Sequence, residues 1–424
     1  MNVAKTPNKP TAAVVGGGVS GLTAAFLLSR THDVTLYEAD DRLGGHAHTH
    51  DVAGSAGQPL RVDSGFIVMN ERTSPNLLKL FAELGVGTRP TEMSMSIECE
   101  ECGLSYAGGR GVASILAQPA RLKDPRFLKM LTQVPRFHRS ARRLLKTDSD
   151  MTWGEFLSSG GYRDYFVQHF AVPLVSCVWS CGDDDAFAYP ARHLFAFLSH
   201  HGMLQLLGSP TWRTVVGGSD TYVQKIAVLL GDVRVSERVL SVARDEETVE
   251  VRTESSVKSF DRIVIATHAD QALEILVDAS PEEKADLAAI RYSRNETWLH
   301  QDSSLLPAPT MRSRASWNYR LASCEGGADK VVVSYWMNRL QGLNDDKDHV
   351  VTLNAVDHVD PAKVTAKMTY WHPIFTNDAV AAAKRLRNAG GPRLAFAGAH
   401  LGWGFHEDGC RSGVAAAQSF GVTW

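Results

Sequence analysis

The clearest chemical pattern in the chain is a set of three glycines near its start, Gly16, Gly18 and Gly21. They follow a short apolar run at 12–15 and open a segment with helical spacing, and a second apolar run ends at Glu38. In this arrangement the glycines permit a tight strand-to-helix turn, close approach of backbone amides to a pyrophosphate, and close helix packing. The helix N-terminus favours phosphate charge, and Glu38 can accept hydrogen bonds from a ribose diol. The spacing predicts a dinucleotide-binding βαβ unit over 11–39.

A second pair of glycines indicates which dinucleotide is bound. Gly44 and Gly45 follow the acid closely and lie between Arg42 and His46. An enzyme that binds NAD has no need of glycines here. A bare backbone can instead lie against the ribityl-phosphate arm of a flavin, with Arg42 near the phosphates. An ordinary glycine turn is the alternative, but the position directly after the acid favours FAD.

The composition is typical of a soluble α/β enzyme with two to three domains. The chain has 424 residues, of which 44% are hydrophobic and 21% are charged. Its net charge of -3 gives no case for nucleic-acid binding. The apolar segment 12–28 is interrupted by glycines and lacks a cleavage-site pattern, so we interpret it as a strand and helix rather than a signal peptide. No uninterrupted apolar run reaches about 18 residues, and we expect a cytoplasmic protein.

Two cysteines with close spacing raise a metal hypothesis. Cys99 and Cys102, followed by glycine, have the spacing of half a zinc site or of a redox pair. A zinc site needs two further ligands, and the other close pair, Cys177 and Cys181, is spaced differently. We therefore expect Cys99 and Cys102 to flank a hairpin turn between two strands.

Three alternating histidines raise a second metal hypothesis. His46, His48 and His50 would share one face of an extended segment. They overlap the glycine-pair motif, however, and the sequence fixes no carboxylate beside them. We therefore predict no metal site.

Apolar spacing divides the rest of the chain into helical and strand-rich blocks. A helix follows Pro75 and ends at Gly85, and the span 110–210 is mainly helical. A strand that runs into a helix is predicted at 212–231, and a further helix at 281–290. Strands are predicted within 61–69, 93–106, 233–266, 296–300, 331–336, 349–355 and 366–371. The nucleotide-binding part is therefore expected to be interrupted by inserted material that forms a substrate domain.

A third glycine-rich segment lies near the C-terminus. A short apolar strand ends at Gly398, and Ser412 and Gly413 open a helix rich in small residues. A helix that begins beside such a pair can cradle an anion or a flavin edge. Its small residues would allow close packing against the first βαβ unit.

These segments together resemble the flavin amine-oxidase superfamily. The C-terminal residues that match its motif are Phe396, Gly398, Glu407, Ser412, Gly413, Ala416 and Ala417. The closer likeness is to a subfamily of NAD/FAD-binding proteins that are often encoded beside, or fused to, cyclopropane-fatty-acyl-phospholipid synthases. The stretches that match it are 62–68 with Asn70, 75–77, 179–180, 201–202, 212–219, 316–319, 335–341, 372–373 and 404–409.

The resemblance implies a fold and a set of cofactor contacts. The fold class is α/β, with a discontinuous Rossmann-like FAD-binding domain of the glutathione-reductase and amine-oxidase type (1–75, 211–275 and 390–424) and an inserted α+β substrate domain (76–210 and 276–389). Non-covalent FAD is expected, because the cysteine motif of covalent monoamine oxidases is absent. The expected cofactor-binding residues are Gly16, Gly18, Val19, Ser20, Gly21, Glu38, Ala39, Arg42, Gly44, Gly45, His46, Ser64, Gly65, Val239, Gly398, Phe405, His406, Glu407 and Gly413.

Flavin dehydrogenation needs little acid–base machinery, because N5 accepts hydride and the protein supplies orientation and at most one base. The expected catalytic residues are His406, Glu407, Trp179 and Ser180. His406 could exchange a proton near neutral pH or could bond backbone in its glycine-rich loop. Glu407 is expected to position the cofactor. The superfamily's aromatic pair beside the flavin and its lysine near N5 are not assigned in this sequence.

The leading functional hypothesis is an FAD-dependent oxidoreductase that dehydrogenates or desaturates a lipid-like, fatty-acyl substrate. The acyl assignment comes from the resemblance. Alternatives are a flavin amine oxidase, a fatty-acid double-bond isomerase, and a flavin-binding partner of a lipid methyltransferase of the cyclopropane-fatty-acyl-synthase type.

A basic segment bears on the lipid hypothesis. Residues 121–146 contain nine Lys or Arg and one acid, Asp124, with apolar residues at helical spacing. Pro135 would bend or divide this helix. A basic amphipathic helix can lie on anionic lipid, as peripheral contact with a membrane face, whereas a solvated face of the substrate domain is the ordinary alternative.

Overall fold

The computed structural model describes residues 9–109, 112–204, 210–327, 332–355 and 357–424. Residues 1–8 of the expected FAD-binding domain, parts of the expected helical span 110–210 and the first residue of the expected strand 331–336 lie outside these ranges. The strands are β1 (Thr11–Val15), β2 (Asp33–Tyr37), β3 (Thr49–Ala53), β4 (Pro59–Asp63), β5 (Val68–Asn70), β6 (Thr88–Thr91), β7 (Met95–Cys99), β8 (Ser105–Gly108), β9 (Trp212–Val215), β10 (Asp232–Arg234), β11 (Val239–Arg244), β12 (Val249–Thr253), β13 (Val257–Phe260), β14 (Arg262–Ile265), β15 (Arg291–His300), β16 (Trp317–Leu321), β17 (Val332–Trp336), β18 (Val350–Leu353), β19 (Val364–Ile374) and β20 (Leu394–Phe396).

Helices lie between these strands in most of the chain. They are α1 (Val19–Leu28), α2 (Pro75–Leu84), α3 (Val112–Ile115), α4 (Pro125–Leu144), α5 (Trp153–Ser159), α6 (Asp164–Phe166), α7 (Val172–Trp179), α8 (Asp183–Ala188), α9 (Ala191–His200), α10 (Asp220–Leu229), α11 (Ala269–Ile275), α12 (Pro281–Ala288), α13 (Met337–Leu340), α14 (Asn377–Leu386) and α15 (His406–Ser419). A π-helical turn, Val167–Ala171, joins α6 to α7. The last helix begins six residues before the predicted Ser412-Gly413 pair.

A parallel sheet forms the core of the nucleotide-binding part. Its strands lie in the order β10-β2-β1-β14-β20, and every neighbouring pair is parallel. Alternate residues of these strands face two separate cores, so the sheet is covered on both sides, as parallel sheets require. Helices α1, α2, α10 and α15 pack on one face, and the β11-β12-β13 meander with α11, α12 and α14 covers the other. The predicted discontinuous Rossmann-like α/β fold is confirmed.

The carboxyl ends of these parallel strands meet at one edge of the sheet. β1 leads into Gly16, β2 leads into Glu38, and β20 is followed within two residues by Gly398. In open α/β sheets, ligands bind in the crevice outside the carboxyl ends of the strands. The topology therefore brings three distant parts of the chain to one candidate cofactor crevice.

A larger mixed sheet forms the inserted part. Its order is β19-β15-β18-β17-β16-β7-β8, and β16 pairs with β7 in parallel while the other neighbouring pairs are antiparallel. Helices α4 to α9 pack beside it around the fully buried Phe137. The aromatic rings that surround Phe137 belong to Trp153, Phe156, Tyr162, Phe166, Phe170 and Phe195.

Helix α2 packs with the parallel sheet, although the predicted boundary after residue 75 assigns it to the substrate domain. Its buried Leu77, Leu80 and Phe81 belong to the same core as α1 and α15. The helix begins with Pro75 at its first turn and ends at Gly85, which adopts φ 63°. This start and this end agree with the sequence prediction.

Helix α4 is a single element that Pro135 does not divide. Asp124 caps its N-terminus by accepting a hydrogen bond from Arg126 N at 2.9 Å. Phe127, Met130 and Phe137 on its apolar face are buried in the substrate domain. That face is therefore unavailable to a lipid surface, and the basic face remains exposed. None of the helices in the described ranges is long and apolar enough to cross a membrane.

Candidate active site

The glycine-rich turn after β1 adopts the backbone that a nucleotide cradle requires. Gly16 has φ 106°, and a Cβ atom there would lie 2.7 Å from the carbonyl oxygen of Ala266. The amide of Gly44 donates to Gly17 O at 2.8 Å, and Gly18 forms an isolated bridge with Gly44. The two glycine motifs predicted from the sequence are thus neighbours in space.

The individual glycines have different roles. A Cβ atom on Gly18 would meet nothing within 4 Å, so this backbone faces open space. A Cβ atom on Gly21 would overlap Gly16 O, and one on Gly413 would overlap Ser20 O. Gly21 therefore allows helix–strand packing, as predicted. The missing side chain of Gly413 lets α15 approach α1, and its expected cofactor contact remains a prediction.

Val19 and Ser20 occupy the first turn of α1, next to the cradle. Both are buried, and a Cβ atom on Gly409 would lie 2.6 Å from Val19 and 2.9 Å from Ser20. Gly18 precedes the helix as its N-cap residue, with no side-chain cap and no acid in the first turn. Backbone amides at such an N-terminus, together with the helix dipole, favour a bound anion.

Glu38 lies beside this turn and is partly shielded from water. Its carboxylate accepts from Gly17 N at 2.7 Å and from Asp40 N at 2.9 Å. Burial raises its pKa, and these backbone hydrogen bonds lower it in part. The amide of Glu237 donates to Glu38 O at 2.9 Å, which brings the segment before β11 to the same place. Ala39 is exposed next to Glu38.

Val239 is the first residue of β11 and is buried, two residues beyond Glu237. It therefore lies near the ribose-binding end of the predicted site. Its predicted contact with the adenine remains a prediction.

Arg42 and His46 hold the second glycine segment. The Arg42 guanidinium donates to Gly45 O at 2.8 Å and to Leu43 O at 3.4 Å. The His46 ring stacks on Tyr370 with 4.9 Å between centroids. Its Nε2 atom is buried and has no hydrogen-bond partner among the described residues. Buried polar atoms normally have partners, so this nitrogen is suited to a bound ligand.

These features fit FAD. The open backbone at Gly18 and the uncapped N-terminus of α1 suit a pyrophosphate, and Glu38 is positioned for a ribose. The unpartnered His46 nitrogen would be available for a hydrogen bond to a bound cofactor. Gly16, Gly18, Glu38, Gly44 and Gly45 would line the cradle.

Ser64 joins the predicted histidine segment to the large sheet. Its Oγ lies 2.7 Å from the Tyr370 hydroxyl and 2.8 Å from His50 Nε2. His48 Nδ1 lies 3.1 Å from the same tyrosine hydroxyl. A Cβ atom on Gly65 would overlap His46 O, so Gly65 lets two backbone segments pass closely. Ser64 and Gly65 thus fix the cradle against β19.

Several histidines lie in this region, of which His400 is buried and the others are half-buried. We call them the histidine cluster: His46, His268, His372, His400 and His406. Burial lowers the pKa of His372 to about 4 and those of His400 and His406 to about 3. Burial also lowers the pKa of His268, and it holds the pKa of His46 well below its usual range. The cluster is therefore uncharged at neutral pH.

His406 is held on two sides. Its ring stacks on Phe66 with 3.8 Å between centroids and an interplanar angle of 7°. Its Nε2 atom lies 3.0 Å from the hydroxyl of the fully buried Tyr222. A pKa of about 3 makes this imidazole a weak base near neutral pH, so the geometry favours a positioning role over the expected proton transfer.

Glu407 does not face the cradle as expected. Its Oε1 accepts from the side-chain amide of Asn76 at 2.6 Å, and its Oε2 accepts from Leu77 N at 2.9 Å. The carboxylate therefore caps the N-terminus of α2, where the helix dipole favours negative charge. The expected catalytic and cofactor-positioning roles of Glu407 are replaced by a role in joining α15 to α2.

A group of aromatic side chains adjoins His406, and we call it the aromatic wall: Trp179, Phe197, Trp403 and Phe405. Phe405 stacks on Phe197 at 4.8 Å, and Trp179 packs against Phe197 at 4.8 Å. The indole of Trp179 donates to Trp403 O at 2.9 Å. Trp403 and Phe405 are only partly buried, so their rings offer an apolar surface beside the cradle.

Ser180 ends α7 directly after Trp179, in a left-handed conformation with φ 52°. Its amide donates to Ser176 O at 2.9 Å, and its left-handed backbone ends the helix that carries Trp179. Its expected catalytic role remains a prediction.

With this geometry established, a comparison with family models identifies the chain's relatives. Residues 19–297 match the family described as flavin containing amine oxidoreductase. The chain belongs to this family. FAD is the cofactor of the family, in agreement with the cradle.

Individual relatives in this family match parts of the chain. AofH of Mycobacterium tuberculosis, which carries the name of a flavin-containing monoamine oxidase, is 30% identical over 225 residues, or 51% of this chain and 48% of AofH. The match thus spans about half the length of this relative. A coproporphyrinogen III oxidase of Mycobacterium bovis is 40% identical over 80 residues, or 18% of this chain and 16% of that protein.

Solved structures show the same fold over nearly the whole chain. Cyclohexylamine oxidase from Brevibacterium oxydans superposes with a TM-score of 0.71 at 17% identity, covering 97% of this chain and 98% of that one. A fatty acid isomerase from P. acnes that produces CLA superposes with a TM-score of 0.65 at 16% identity, covering 95% and 97%. At these identities the superpositions show a common fold and leave substrate and reaction open.

Several residues of this site were missed in the sequence. Tyr370, Tyr222 and Phe66 contact the predicted histidines, and His268 and His400 complete the histidine cluster. Tyr370 and Tyr222 lie in segments whose strand or helix was predicted, but no local pattern distinguishes a tyrosine that bonds a histidine from one that fills a core. The strand predicted at 366–371 and the His372-Pro373 pair that follows it were the available signals for β19.

Proposed function

We propose that this family member is an FAD-dependent oxidoreductase that dehydrogenates or desaturates a lipid-like, fatty-acyl substrate. The observation that carries the proposal is the aromatic wall beside the predicted flavin end. Phe405 of this wall directly precedes His406, whose ring stacks on Phe66, and Phe66 N donates to His46 O at 2.7 Å. An acyl chain bound along Phe405 would therefore adjoin the cradle.

The charges around the wall also favour an uncharged chain over an ammonium group. Glu407 caps α2, and Asp408 accepts from Phe405 N at 3.1 Å and from Arg411 at 2.6 Å. Both carboxylates of the first turn of α15 are therefore engaged within the protein. The neighbouring histidine cluster is uncharged at neutral pH, and its low pKa values reflect a poorly hydrated environment. Such surroundings suit apolar groups.

The chain's own contribution to the reaction would be binding, orientation and exclusion of water. When bound, FAD supplies the hydride acceptor. Phe405 and Trp403, which are only partly buried, would hold the acyl chain through apolar contact, and the buried Trp179 would support Phe405. His406 and Tyr222 would fix the start of α15 beside it. No strong base is required of the histidine cluster, which agrees with its low pKa values.

Two other reactions have support from relatives. The structural similarity to a fatty acid isomerase favours double-bond migration, in which the substrate regains the hydride it loses. The match to AofH favours oxidation of an amine. Each alternative predicts a product that differs from the product of desaturation.

Product analysis separates these proposals. Purified flavin-loaded protein would be incubated with long-chain acyl substrates and with primary amines, and the products measured by mass spectrometry. Desaturation removes two hydrogens, isomerisation leaves the mass unchanged but moves the double bond, and amine oxidation gives a carbonyl product. We expect loss of two hydrogens from an acyl substrate, and carbonyl products from amines alone would contradict the proposal.

We also propose that the basic face of α4 draws the protein to anionic lipid. Its exposed cations are Arg126, Lys129, Arg136, Arg139, Arg142 and Arg143, and the exposed Lys123 and Lys146 flank the helix. Because the apolar face is buried, attraction would be electrostatic and sensitive to salt. Co-sedimentation with vesicles rich in phosphatidylglycerol should exceed that with phosphatidylcholine vesicles and should fall at high salt. Equal binding to both vesicles would contradict it.

A further inference from the structure

Four side chains from three distant segments of the chain converge at the tip of the β7–β8 hairpin. They are Cys99, Cys102, His169 and Cys324, and their ligand atoms all lie within 4.8 Å of one another. Thiolate sulfur and imidazole nitrogen are the donors of structural zinc sites. We propose that these four residues bind one structural Zn²⁺ ion as a Cys₃His site.

The distances between the donor atoms suit a tetrahedron. With Zn–S bonds of about 2.3 Å and Zn–N bonds of about 2.0–2.1 Å, neighbouring sulfurs lie about 3.8 Å apart and sulfur lies about 3.6 Å from nitrogen. The sulfurs of Cys99 and Cys324 are 3.7 Å apart. His169 Nε2 is 3.7 Å from the sulfur of Cys102 and 3.6 Å from that of Cys324. These three distances match the edges of a tetrahedron of zinc ligands.

The hairpin turn presents its two cysteines in the manner of a zinc knuckle. Cys99 ends β7 and its amide donates to Leu104 O at 2.9 Å, while Gly103 takes a left-handed φ of 65°. The backbone amides of Cys102 and Leu104 point to the sulfurs of Cys99 and Cys102. Such N–H groups stabilise thiolate charge. The predicted hairpin turn is confirmed, and it also orients two ligands.

His169 is oriented by a partner on its other nitrogen. Its Nδ1 atom lies 3.0 Å from Tyr165 O, so Nδ1 carries the hydrogen and Nε2 presents its lone pair to the three sulfurs. Metal-binding histidines usually have such a partner, which fixes the tautomer and the ring orientation. The residue lies in the π-helical turn Val167–Ala171, and insertions of this kind are frequent at functional sites.

Cys324 supplies the last ligand from the loop after β16. Its amide donates to Glu101 Oε2 at 2.7 Å, which holds this loop against the hairpin. The loop and the hairpin are also joined by the parallel pairing of β16 with β7. Four protein ligands leave no open position, which is the arrangement of structural rather than catalytic zinc.

A disulfide or a set of unrelated buried thiols explains the cluster less well. The 3.7 Å between Cys99 and Cys324 greatly exceeds a disulfide bond of about 2.05 Å, and one disulfide would leave Cys102 and His169 without a role. Binding would release three thiol protons and give a site with one net negative charge. Arg121 donates to Cys102 O, and Arg126 lies over the Tyr165 ring, so cations are close by.

The proposed ion would connect the large sheet to the helices of the substrate domain. It would tie β7 and the loop after β16 to the helix that continues into α7, which carries Trp179 of the aromatic wall. Metal binding that depends on the folded arrangement contributes directly to stability. We therefore expect loss of zinc to loosen the substrate domain while the FAD cradle, formed by other segments, keeps its cofactor.

The test measures zinc and flavin on the same samples. Untagged protein from zinc-supplemented cells, purified without chelators, would be analysed by inductively coupled plasma mass spectrometry. We expect about one zinc per chain, and at least about a tenfold lower zinc content in Cys324→Ser and His169→Asn. Cys181→Ser replaces a buried cysteine outside the cluster and should retain both zinc and FAD.

Cobalt provides a test that does not depend on variants. Exchange of Co²⁺ into the wild-type protein should give the intense d–d bands of tetrahedral thiolate coordination, which lie at longer wavelengths than flavin absorption. Folded, FAD-loaded wild-type protein with less than about a tenth of an equivalent of zinc after zinc exposure would overturn the proposal. So would an equal loss of zinc in Cys181→Ser, iron in place of zinc, or a Cys99–Cys324 disulfide found by non-reducing peptide mapping.

Discussion

Single residues in the glycine-rich turn separate cofactor binding from folding. Gly18 has an ordinary φ of -75°, and its missing side chain faces open space. Gly21 lies one helical turn later, where a side chain would overlap the backbone of Gly16. The same substitution at the two positions should therefore have different consequences.

Gly18→Ala should leave folding intact and weaken FAD binding. The new methyl group would occupy the space through which the pyrophosphate approaches the backbone at Gly18. This close approach requires a position without a side chain. We expect the Kd for FAD to rise at least about tenfold, with the melting temperature of the apoprotein unchanged within about 2 °C. Fluorescence titration with FAD and thermal unfolding measure the two quantities.

Gly21→Ala is the matched control, and it should lower the free energy of unfolding of the apoprotein by about 1–3 kcal/mol through overpacking. Equal loss of apoprotein stability in both variants would mean that Gly18 is also a packing position. Unchanged FAD affinity in Gly18→Ala would contradict binding of FAD at this glycine-rich turn.

For single residues, the sequence predicted the backbone of the cradle well, but it predicted poorly where long side chains point. Gly16 and Gly18 act through the backbone of the turn, and Glu38 directly follows β2. Their spacing along the chain was therefore enough to predict where they lie. Glu407 matched a motif, but its carboxylate turns to Asn76 and Leu77, which are more than three hundred residues away in sequence. The direction of a carboxylate depends on tertiary packing, which no motif records.

At the scale of elements, the most informative contact joins α15 to α2. Glu407 on α15 satisfies amides in the first turn of α2, and α2 has no side-chain cap of its own. Unsatisfied amides at a buried helix end are costly. The carboxylate therefore contributes to stability more directly than to chemistry.

Glu407→Gln should destabilise the protein while sparing the reaction. The variant loses the charge and presents an amide nitrogen to backbone donors, so we expect the free energy of unfolding to fall by about 1–3 kcal/mol. Urea unfolding monitored by far-UV circular dichroism measures this change. The rate of flavin reduction by substrate should stay within about threefold of wild type.

Glu274→Gln, at an exposed position on α11, is the control and should change stability by less than about 0.5 kcal/mol. A reduction rate lowered a hundredfold at unchanged stability in Glu407→Gln would restore the catalytic role of this carboxylate.

Elements with strong local signals were predicted, and those whose partners lie far away were missed. The first βαβ unit, α2 and the β7–β8 hairpin follow from apolar spacing and glycine stops. β16 was missed because it is formed by pairing with β7, about two hundred residues earlier. The same distance separates Cys324 from the Cys99 pair, so the sequence displayed only half of the proposed zinc site.

Across the whole molecule, buried neutral histidines dominate the response to acid. Beyond the histidine cluster, burial lowers the pKa of His193 to about 3 and those of His201 and His300 to about 4. In the unfolded chain these groups titrate near 6.5. Between the two pKa values the unfolded state binds more protons, so acid favours unfolding.

We therefore expect stability that is fully present above pH 6.5 and is lost as the pH falls towards 4. Each such histidine adds a slope of about 1.4 kcal/mol per pH unit in that window. Burial also raises the pKa of Asp63 to about 6 and those of Glu38, Glu98, Glu407 and Asp408, and these carboxyl groups act in the opposite direction but are fewer than the histidines. Urea midpoints between pH 8 and pH 5 measure the slope. A midpoint that stays constant down to pH 5 would contradict buried neutral histidines.

We propose that the aromatic wall holds an acyl chain beside this crevice, where bound FAD would supply the hydride acceptor. The most direct measurement is anaerobic stopped-flow mixing of the FAD-loaded protein with long-chain acyl substrates and, separately, with primary amines. With acyl substrates we expect the flavin absorbance near its visible maximum to bleach, and we expect Phe405→Ala to slow this bleaching. With amines we expect no bleaching. Bleaching by amines alone, or a correctly folded protein that binds no flavin, would contradict it.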